Sequence, residues 1–426
     1  MPSPTTSAAR PAWVTSIVAA VATLAACASP QPVGDDAEEP TQEPAFIVDE
    51  QRIGDPDAGY FSLEISPDMR FVVWQEILTD AGGVTPGPVW SCGIDPLTAE
   101  LLPSDGRGFR VDDIPSTSAP QWGEDERGAF FVTIDAGGEI LLVRPTASDA
   151  ATVERLTTPA DPERFYPYPT RDPERAAPLI AFLQNDDAGR PQIHVVDALE
   201  PEVVRPLTSG PVDFNDGVPS FVLTVFRWFP GTTELAWGYN DAAGRLQVAA
   251  LHAEGPTAEA TPITDEEHDH IDSFPAVLAG ERLLVGGIDR TSSGAVYRQA
   301  TADAPFRISQ PIDQPSAFAV PMMAASFEPF AWEGEQFASY IVLDGTDCDA
   351  DADATCGRAP GSFPAETWLV NLGTGEPRLL SSATTLNRMD PEYFLGEREA
   401  FVLFYARPPT EAGFRLYRAR TGLARP

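Results

Sequence analysis

Three observations on the sequence predict an all-β protein. From residue 46 onward, short runs of β-branched and aromatic residues alternate with polar turns, and no stretch has the period of a long helix. Proline supplies 43 of the 426 residues and stands mostly between these runs, since it would remove a hydrogen-bond donor from a strand centre. The runs also recur in a regular order along the chain, which is the third observation.

Individual strands are predicted where apolar residues cluster between turn-forming Gly, Pro, Asp and Asn. The clearest runs are Phe71–Trp74, Ala129–Val132, Leu179–Leu183, Leu283–Val285 and Phe401–Phe404. A polar turn precedes each run, and a further turn joins it to a second run. We therefore expect pairs of strands joined by turns throughout this part of the chain.

The strand pairs belong to a longer repeat of about 55 residues. Seven polar turns open the repeats, at residues 66, 124, 172, 230, 280, 334 and 396. A sheet of three or four strands cannot bury both faces alone, whereas sheets stacked in a ring can, and the ring protects strand edges. The spacing predicts a β-propeller of seven blades, within a range of six to eight. A solenoid with inserts or a pair of β-sandwiches is the alternative.

The last predicted blade is incomplete, because two strands follow its polar turn. Residues 45–50 (AFIVDE) precede the first repeat and are apolar enough to form a strand. We expect this N-terminal strand to complete the last blade and close the ring.

Residues 1–26 are predicted to be a signal peptide. Arg10 precedes an apolar run that is too short for a stable membrane span. The run ends in Leu24-Ala25-Ala26-Cys27, which resembles the bacterial lipobox, whose cysteine is lipidated and becomes the mature N-terminus. An ordinary secretory signal is the alternative. The resemblance implies an exported, lipid-anchored protein, at the outer membrane or cell surface if the cell is Gram-negative.

Residues 27–45 are expected to be the lipidated Cys27 and an acidic, proline-rich tether that buries almost nothing. Residues 46–426 form the predicted propeller domain. No later apolar run has the length of a membrane span, so the expected membrane attachment is the N-terminal lipid.

The chain is strongly acidic. It has 64 acidic and 28 basic side chains, all of the latter Arg, and a formal net charge of −36. Nucleic acids and anionic lipid surfaces both require a positive face, so neither is expected as a partner. We expect a monomer that binds a protein or glycan partner at a propeller face, with basic or cation-bridged partners favoured.

Several repeats resemble those of TolB and related periplasmic proteins, so the chain is interpreted as TolB-like and WD-repeat-like. Arg155-Leu156-Thr157 leads to Tyr166-Pro167-Tyr168-Pro169, and Arg205-Pro206-Leu207-Thr208 leads to Phe226–Gly231. The resemblance covers most of residues 58–426 and implies a propeller. It implies little about function, because propellers carry many activities.

Three features depart from the TolB pattern. The turn Ser66-Pro67-Asp68 matches the TolB repeat, but Met69 replaces its usual Gly. TolB has an extra N-terminal domain where this chain has a lipid-anchor signal and a tether. TolB also has six blades where seven repeats are counted here. The Pal-binding role of TolB is therefore not carried over.

The acidic insert 344–363 holds the candidate metal ligands. They are Asp347, Asp349, Asp351 and Asp353. Their alternation resembles a calcium loop, because Ca²⁺ takes several oxygen ligands that such a turn can aim at one point. Cys348 and Cys356 bracket the loop and are expected to form a disulfide. The Gly and Glu of an EF-hand are missing, so a solvated acidic loop is the alternative. An increase in melting temperature with Ca²⁺, reversed by EDTA, tests the calcium hypothesis.

Other residues have less specific patterns. His268 and His270 lie among acids, which suits a transition metal in an extended segment or a solvated loop. Cys92 is expected to be a buried or half-buried thiol. Recurring tryptophans indicate an inter-blade core or, alternatively, a sugar-stacking surface. They are Trp74, Trp122, Trp228, Trp237, Trp332 and Trp368.

The sequence favours a binding or scaffolding module over an enzyme. It has no Gly-x-Ser-x-Gly turn, no His-Glu-x-x-His motif and no P-loop, so no catalytic residue is assigned, and no cofactor other than Ca²⁺ is expected. The alternative is a glycan-acting hydrolase or lyase that uses carboxylates in the central pore. An apolar pore favours binding, whereas two or more buried carboxylates that converge with an Arg or His favour catalysis.

Overall fold

The computed structural model describes residues 49–80, 83–102, 109–111, 118–146, 151–158, 164–187, 191–208, 226–241, 243–254, 260–264, 270–288, 296–300, 322–344, 365–381, 387–408, 411 and 413–425. All regular secondary structure in these residues is β-strand. None of them belongs to a helix that is long and apolar enough to cross a membrane. The all-β prediction is confirmed.

The strands form seven antiparallel sheets in the described residues, which we call blades 1 to 7. The chain begins with β1 (Glu50–Ile53), which belongs to the last blade. Blade 1 contains β2 (Tyr60–Ile65), β3 (Phe71–Asp80), β4 (Gly83–Ile94), β5 (Leu101–Leu102) and β6 (Phe109–Val111). Blade 2 contains β7 (Gln121–Asp125), β8 (Gly128–Ile134), β9 (Ile140–Pro145) and β10 (Ala151–Arg155). Blade 3 contains β11 (Arg164–Pro169), β12 (Leu179–Asn185), β13 (Pro191–Asp197) and β14 (Val204–Pro206).

The remaining blades follow in chain order. Blade 4 contains β15 (Phe226–Trp228), β16 (Glu234–Asn240), β17 (Leu246–His252) and β18 (Thr261–Pro262). Blade 5 contains β19 (His270–Leu278), β20 (Glu281–Ile288) and β21 (Val296–Ala300). Blade 6 contains β22 (Met322–Trp332), β23 (Glu335–Asp344), β24 (Ala365–Asn371) and β25 (Pro377–Leu379). Blade 7 contains β26 (Asn387–Leu395), β27 (Glu399–Arg407), β28 (Arg415–Ala424) and β1.

The hydrophobic core is divided among the interfaces between blades. Each consecutive pair of blades encloses one cluster of buried apolar side chains, and blade 7 with blade 1 encloses another. Strand β3 shows how this arises from the two-residue period of a strand. Val72 and Trp74 pack toward blade 7, whereas Phe71 and Val73 pack toward blade 2. Both faces of a blade are therefore apolar, and neither can be buried without a neighbour.

The ring is closed by the N-terminal strand, as the sequence predicts. Strand β1 pairs antiparallel with β28, with Glu50 opposite Ala419 and Ile53 opposite Leu416. The position of the strand differs from the predicted 45–50. Of that stretch the structure describes Asp49, which precedes the strand, and Glu50, which begins it.

A buried ion pair, which we call the closure clasp, holds β1 in place. The Arg388 side chain on β26 is fully buried, and its Nη2 donates to Oε1 and Oε2 of Glu50, both at 2.9 Å. Its Nη1 donates to the carbonyl oxygen of Ala365 in blade 6, at 3.0 Å. The clasp therefore ties the inner strand of blade 7 to its outer strand and to the preceding blade.

The first strands of the blades surround the axis. They contact one another consecutively, from β2 through β7, β11, β15, β19, β22 and β26, and β26 contacts β2 again. Side chains that point inward from these seven strands therefore converge.

Candidate functional site

One position on each inner strand points toward the axis. In five inner strands the pairing register shifts immediately before this position, as in a β-bulge. In four of these, the residue two positions earlier has a positive φ: Ser62, Tyr166, Ser326 and Asp390. Bulges of this kind redirect the side chains that follow them. The residues at the inward position are Glu64, Gln121, Tyr168, Arg227, Phe274, Glu328 and Glu392.

Matching hydrogen bonds from two indole groups show that the inward residues of blades 2 and 4 occupy equivalent positions. Trp122, which follows Gln121, donates from Nε1 to the carbonyl oxygen of Glu64 at 3.0 Å. Trp228, which follows Arg227, donates in the same way to the carbonyl oxygen of Tyr168 at 2.8 Å. Each indole thus binds the backbone of the inward residue in the preceding blade.

Blades 1 to 3 contribute one half of this axial cluster. The amide Nε2 of Gln121 donates to Oε1 of Glu64 at 2.7 Å. Arg171, at the turn after β11, approaches the same carboxylate, with its Nη2 at 3.9 Å from Oε2 of Glu64. The Nε of Arg171 donates to the carbonyl oxygen of Trp122 at 3.3 Å. Glu64 is therefore bound by one neutral donor and lies near one cation.

Blades 3 to 6 contribute the other half of the axial cluster, in which one arginine contacts two aromatic rings and one carboxylate. The Nη1 of Arg227 donates to Oε1 of Glu328 at 3.2 Å. The Arg227 guanidinium lies 4.0 Å from the centroid of the Phe274 ring and 5.9 Å from that of Tyr168. Cation–π contacts of this kind stabilise a desolvated guanidinium. Arg227 is thus fixed by blades on both sides of its own.

Glu392 in blade 7 differs from the other two axial glutamates. Its residue is 5% exposed, and among the described residues its carboxylate accepts no hydrogen bond and forms no ion pair. The charges that act on it are mainly negative, from Glu328, Glu64 and Asp390, and the Arg171 guanidinium opposes them. Glu392 therefore contributes a carboxyl group that has no bonded partner among the described residues.

The pKa values of the three glutamates are all raised, with burial as the main cause. Desolvation raises the pKa of Glu64 against the effect of Arg171 and Arg227. Desolvation raises the pKa of Glu328 to about 7, again opposed by Arg227. The pKa of Glu392 lies well above its ordinary value because burial and the neighbouring acids act in the same direction. Near neutral pH, the cluster therefore retains protons that exposed carboxylates would lose.

The chemistry available at the axis is therefore polar and acidic. Carboxyl groups in different surroundings can accept hydrogen bonds, donate them when protonated, or pair with a cation. By the criterion set from the sequence, this lining of buried carboxylates and arginines is not the apolar pore expected of a pure scaffold. Tyr393, whose pKa is raised to about 12 by burial, adds a neutral hydroxyl near the same acids.

The residues singled out from the sequence do not form this cluster. The predicted lipidation site Cys27, the disulfide pair Cys348 and Cys356, the four candidate calcium ligands and His268 lie outside the described residues. In the part of the chain that the structure describes, no group of three His, Cys, Asp or Glu could hold a metal ion. Cys92 is buried in β4, as predicted. The six tryptophans are all buried between blades, which confirms their core role.

The axial glutamates were missed because each was considered as one of 64 acids. A signal was present in the apolar residues that flank each of them. Glu64 lies between Leu63 and Ile65, and Glu392 precedes an aromatic pair. Aligning the repeats at single-residue register, rather than by their turns, would have placed Glu64, Glu328 and Glu392 at one position.

No protein-family model matches the sequence, and no curated protein matches it. The chain is similar in structure to TolB from Acinetobacter baumannii, with 12% identity, coverage of 83% of this chain and 81% of that chain, and a TM-score of 0.38. It is similar to a prolyl endopeptidase at 12% identity and a TM-score of 0.45, with 82% of this chain and 47% of that chain covered. It is also similar to Trypanosoma rangeli sialidase at 10% identity and a TM-score of 0.40, with 72% and 55% covered.

These similarities concern the fold. The chain spans about half the length of the prolyl endopeptidase. The propeller architecture predicted from the repeats is confirmed by the seven sheets of the described residues.

Proposed function

We propose that this chain is a ligand-binding β-propeller of the cell envelope, and that its ligand is a polar molecule bound by the axial cluster. The observation that supports the proposal is the buried Glu392 carboxyl group, which has no bonded partner among the described residues. A buried polar group without a partner is destabilising. Groups of this kind persist where binding or catalysis requires them.

The stability of two glutamine variants tests this role without knowledge of the ligand. Glu392→Gln is expected to leave the free energy of unfolding unchanged or to increase it, because a neutral amide replaces a carboxyl group that forms no hydrogen bond or ion pair with the described residues. Glu50→Gln, the matched control in the closure clasp, is expected to lose roughly 1.5–3 kcal/mol, because it weakens charge-assisted hydrogen bonds. Urea unfolding of the full-length chain measures both. A comparable loss in Glu392→Gln would make the axial carboxyl structural and contradict the proposal.

Ligand binding is tested by thermal shift with neutral oligosaccharides, amino sugars and short peptides. At least one class is expected to raise the melting temperature, because a ligand that binds the folded state stabilises it by mass action. The shift is expected to disappear in Glu392→Gln and to persist in Glu335→Gln, an exposed acid in blade 6. Equal shifts in both variants would place the ligand elsewhere on the propeller.

A second candidate function is a glycan-acting hydrolase, and one observation favours it. The three axial glutamates differ in their bonded partners; the pKa of Glu328 is raised to about 7, and burial and neighbouring acids raise the pKa of Glu392 well above its ordinary value. Glycoside hydrolysis uses one protonated and one ionised carboxyl group. Release of reducing ends from envelope glycans, reduced about a hundredfold or more in Glu392→Gln, would support this candidate. Binding of these glycans without their hydrolysis would exclude the hydrolase function for the glycans assayed.

The envelope location rests on the N-terminal sequence. The apolar run that ends in Leu24-Ala25-Ala26-Cys27 supports export and lipidation, and the acidic tether supports a propeller held beside a membrane. Metabolic labelling with a fatty-acid analogue is expected to mark the wild-type chain and not Cys27→Ser. Labelling that persists in the variant would contradict the lipid anchor.

A further inference from the structure

We infer that the ligand of the axial cluster carries a positively charged nitrogen, an ammonium or guanidinium group, that pairs with Glu392 on the propeller axis. The inference rests on the proposed function and names the chemistry of the ligand at that site. Three observations carry it: the count of charges at the axis, the bonds of the two arginines, and the surroundings of Glu392.

Acids outnumber bases in the axial cluster. Blades 6, 7 and 1, which are consecutive in the ring, each contribute one buried glutamate: Glu328, Glu392 and Glu64. Two arginines, Arg171 and Arg227, lie near them. Buried charges in proteins are normally paired, so the three glutamates could all be ionised and paired only if a cation joined the two arginines found among the described residues.

The two arginines are already bound by other groups. Arg227 donates to Glu328 and lies against the rings of Phe274 and Tyr168. Arg171 donates to the backbone of Trp122 and lies 3.9 Å from Glu64. A shift of either guanidinium toward Glu392 would break these contacts. No third cation pairs with Glu392 among the described residues, and we expect the ligand to supply it.

The surroundings of Glu392 favour a cation over a neutral ligand. Glu328, Glu64 and Asp390 all act on it with the same sign, and Arg171 is the opposing charge among the described residues. A neutral hydroxyl could bond to the carboxyl group while it keeps its proton, but it would supply no charge that opposes these acids. A cation at Glu392 would pair with it and also reduce repulsion among its neighbours, because charge interactions are strong in a desolvated site.

The overall charge of the chain supports the same ligand class. The formal net charge of −36 attracts cations from solution and increases their local concentration. This long-range attraction is not selective, so the selective element must be the axial carboxyl group. An amino sugar and a basic peptide side chain both supply the required nitrogen, and the experiment distinguishes these sources.

Isothermal titration of the full-length chain with two matched pairs of probes tests the inference. The first pair is a glucosamine tetrasaccharide and its N-acetylated form. The second pair is a lysine-containing tripeptide and the same peptide acetylated at the lysine nitrogen. About 0.3 M salt screens the attraction of the protein surface. Each pair keeps the shape of the probe and removes its positive charge.

One amine probe is expected to bind, and its acetylated form is expected to bind at least about tenfold more weakly. Glu392→Gln is expected to weaken the amine probe by a similar factor, whereas Glu335→Gln leaves its affinity unchanged. Equal binding of the acetylated form, undiminished binding to Glu392→Gln, or no binding of either amine would overturn the inference.

The result also separates this inference from the proposed function. A neutral oligosaccharide that binds wild type and not Glu392→Gln would refute the cationic ligand while supporting an axial polar site. If Glu392→Gln is instead as destabilised as Glu50→Gln, the inference and the proposed function are both contradicted, and the role of the axial carboxyl group is structural.

Discussion

The closure clasp and the axial cluster are both buried and charged, yet they differ in how their charges are matched. In the clasp, the Nε and Nη2 of one guanidinium donate three hydrogen bonds to one carboxylate, and a backbone carbonyl accepts a fourth from Nη1. In the axial cluster, three glutamates share two arginines, and Glu392 is bonded to neither. Among the described residues, the acid of the clasp has a bonded cation, whereas Glu392 of the axial cluster has none.

This difference separates a structural role from a binding role. A matched buried pair is strongly destabilised when one partner is lost. An unmatched buried acid lowers stability in the unliganded fold, so its presence indicates a requirement other than stability. Each region has one residue on strand β26 of blade 7: Arg388 belongs to the clasp, and Glu392, four residues later, belongs to the axial cluster. One strand therefore closes the ring and lines the axis.

The largest expected effect is the loss of the clasp. Arg388→Met removes the guanidinium and leaves Glu50 buried without its cation. We expect the free energy of unfolding to decrease by about 3–5 kcal/mol, measured by urea denaturation. The double variant Arg388→Met/Glu50→Leu is expected to recover most of this loss, because an apolar pair of similar volume replaces the ion pair. A loss of less than about 1 kcal/mol in the single variant would contradict the structural role of the clasp.

The next effect is a pH dependence that originates in the axial cluster. The pKa of Glu328 is about 7 in the folded chain, above its ordinary value of 4.5, so folding favours its protonated form. This contribution to stability is fully present below pH 4.5 and is lost as the pH rises through about 7. Its size is on the order of 3 kcal/mol.

Urea unfolding of wild type and Glu328→Gln across this pH range measures the contribution as a difference between the two curves. Glu411→Gln, which alters a partly exposed pair with Arg52, is expected to keep the wild-type dependence. Parallel curves for wild type and Glu328→Gln would show that Glu328 titrates normally.

The smallest expected effect on stability is the loss of an indole hydrogen bond that joins the inner strands of two neighbouring blades. Trp122→Phe removes the bond from Nε1 to the carbonyl oxygen of Glu64. Trp332→Phe is the matched control, because Trp332 is buried between blades and donates no such bond to the described residues. We expect Trp122→Phe to lose about 1 kcal/mol more than the control in the free energy of unfolding. Equal losses would indicate that the indole contributes by packing alone.

The fold was largely predictable from local patterns. The runs at Phe71–Trp74 and Phe401–Phe404 fall within β3 and β27, and the seven polar turns correspond to seven blades. Closure by an N-terminal strand followed from the count of strands in the last repeat. The position of that strand was less certain, because four residues at a sheet edge carry a weak pattern.

The axial site was not predictable in the same way. Glu64 and Glu328 are 264 positions apart in the sequence, and no spacing relates them. Their proximity arises because the inner strands of all blades meet at one axis, and because bulges at Ser62 and Ser326 orient the residues that follow.

The order of polar and apolar residues by itself determined that this chain is all-β, repetitive and closed into a ring, because strand period and turn chemistry are local properties. The tertiary structure alone decided which of the described acids are desolvated, which of them are paired, and that Glu392 has no bonded cation among the described residues. Those outcomes depend on distances between blades, and the energy of a charge depends on its neighbours in space rather than on its neighbours along the chain.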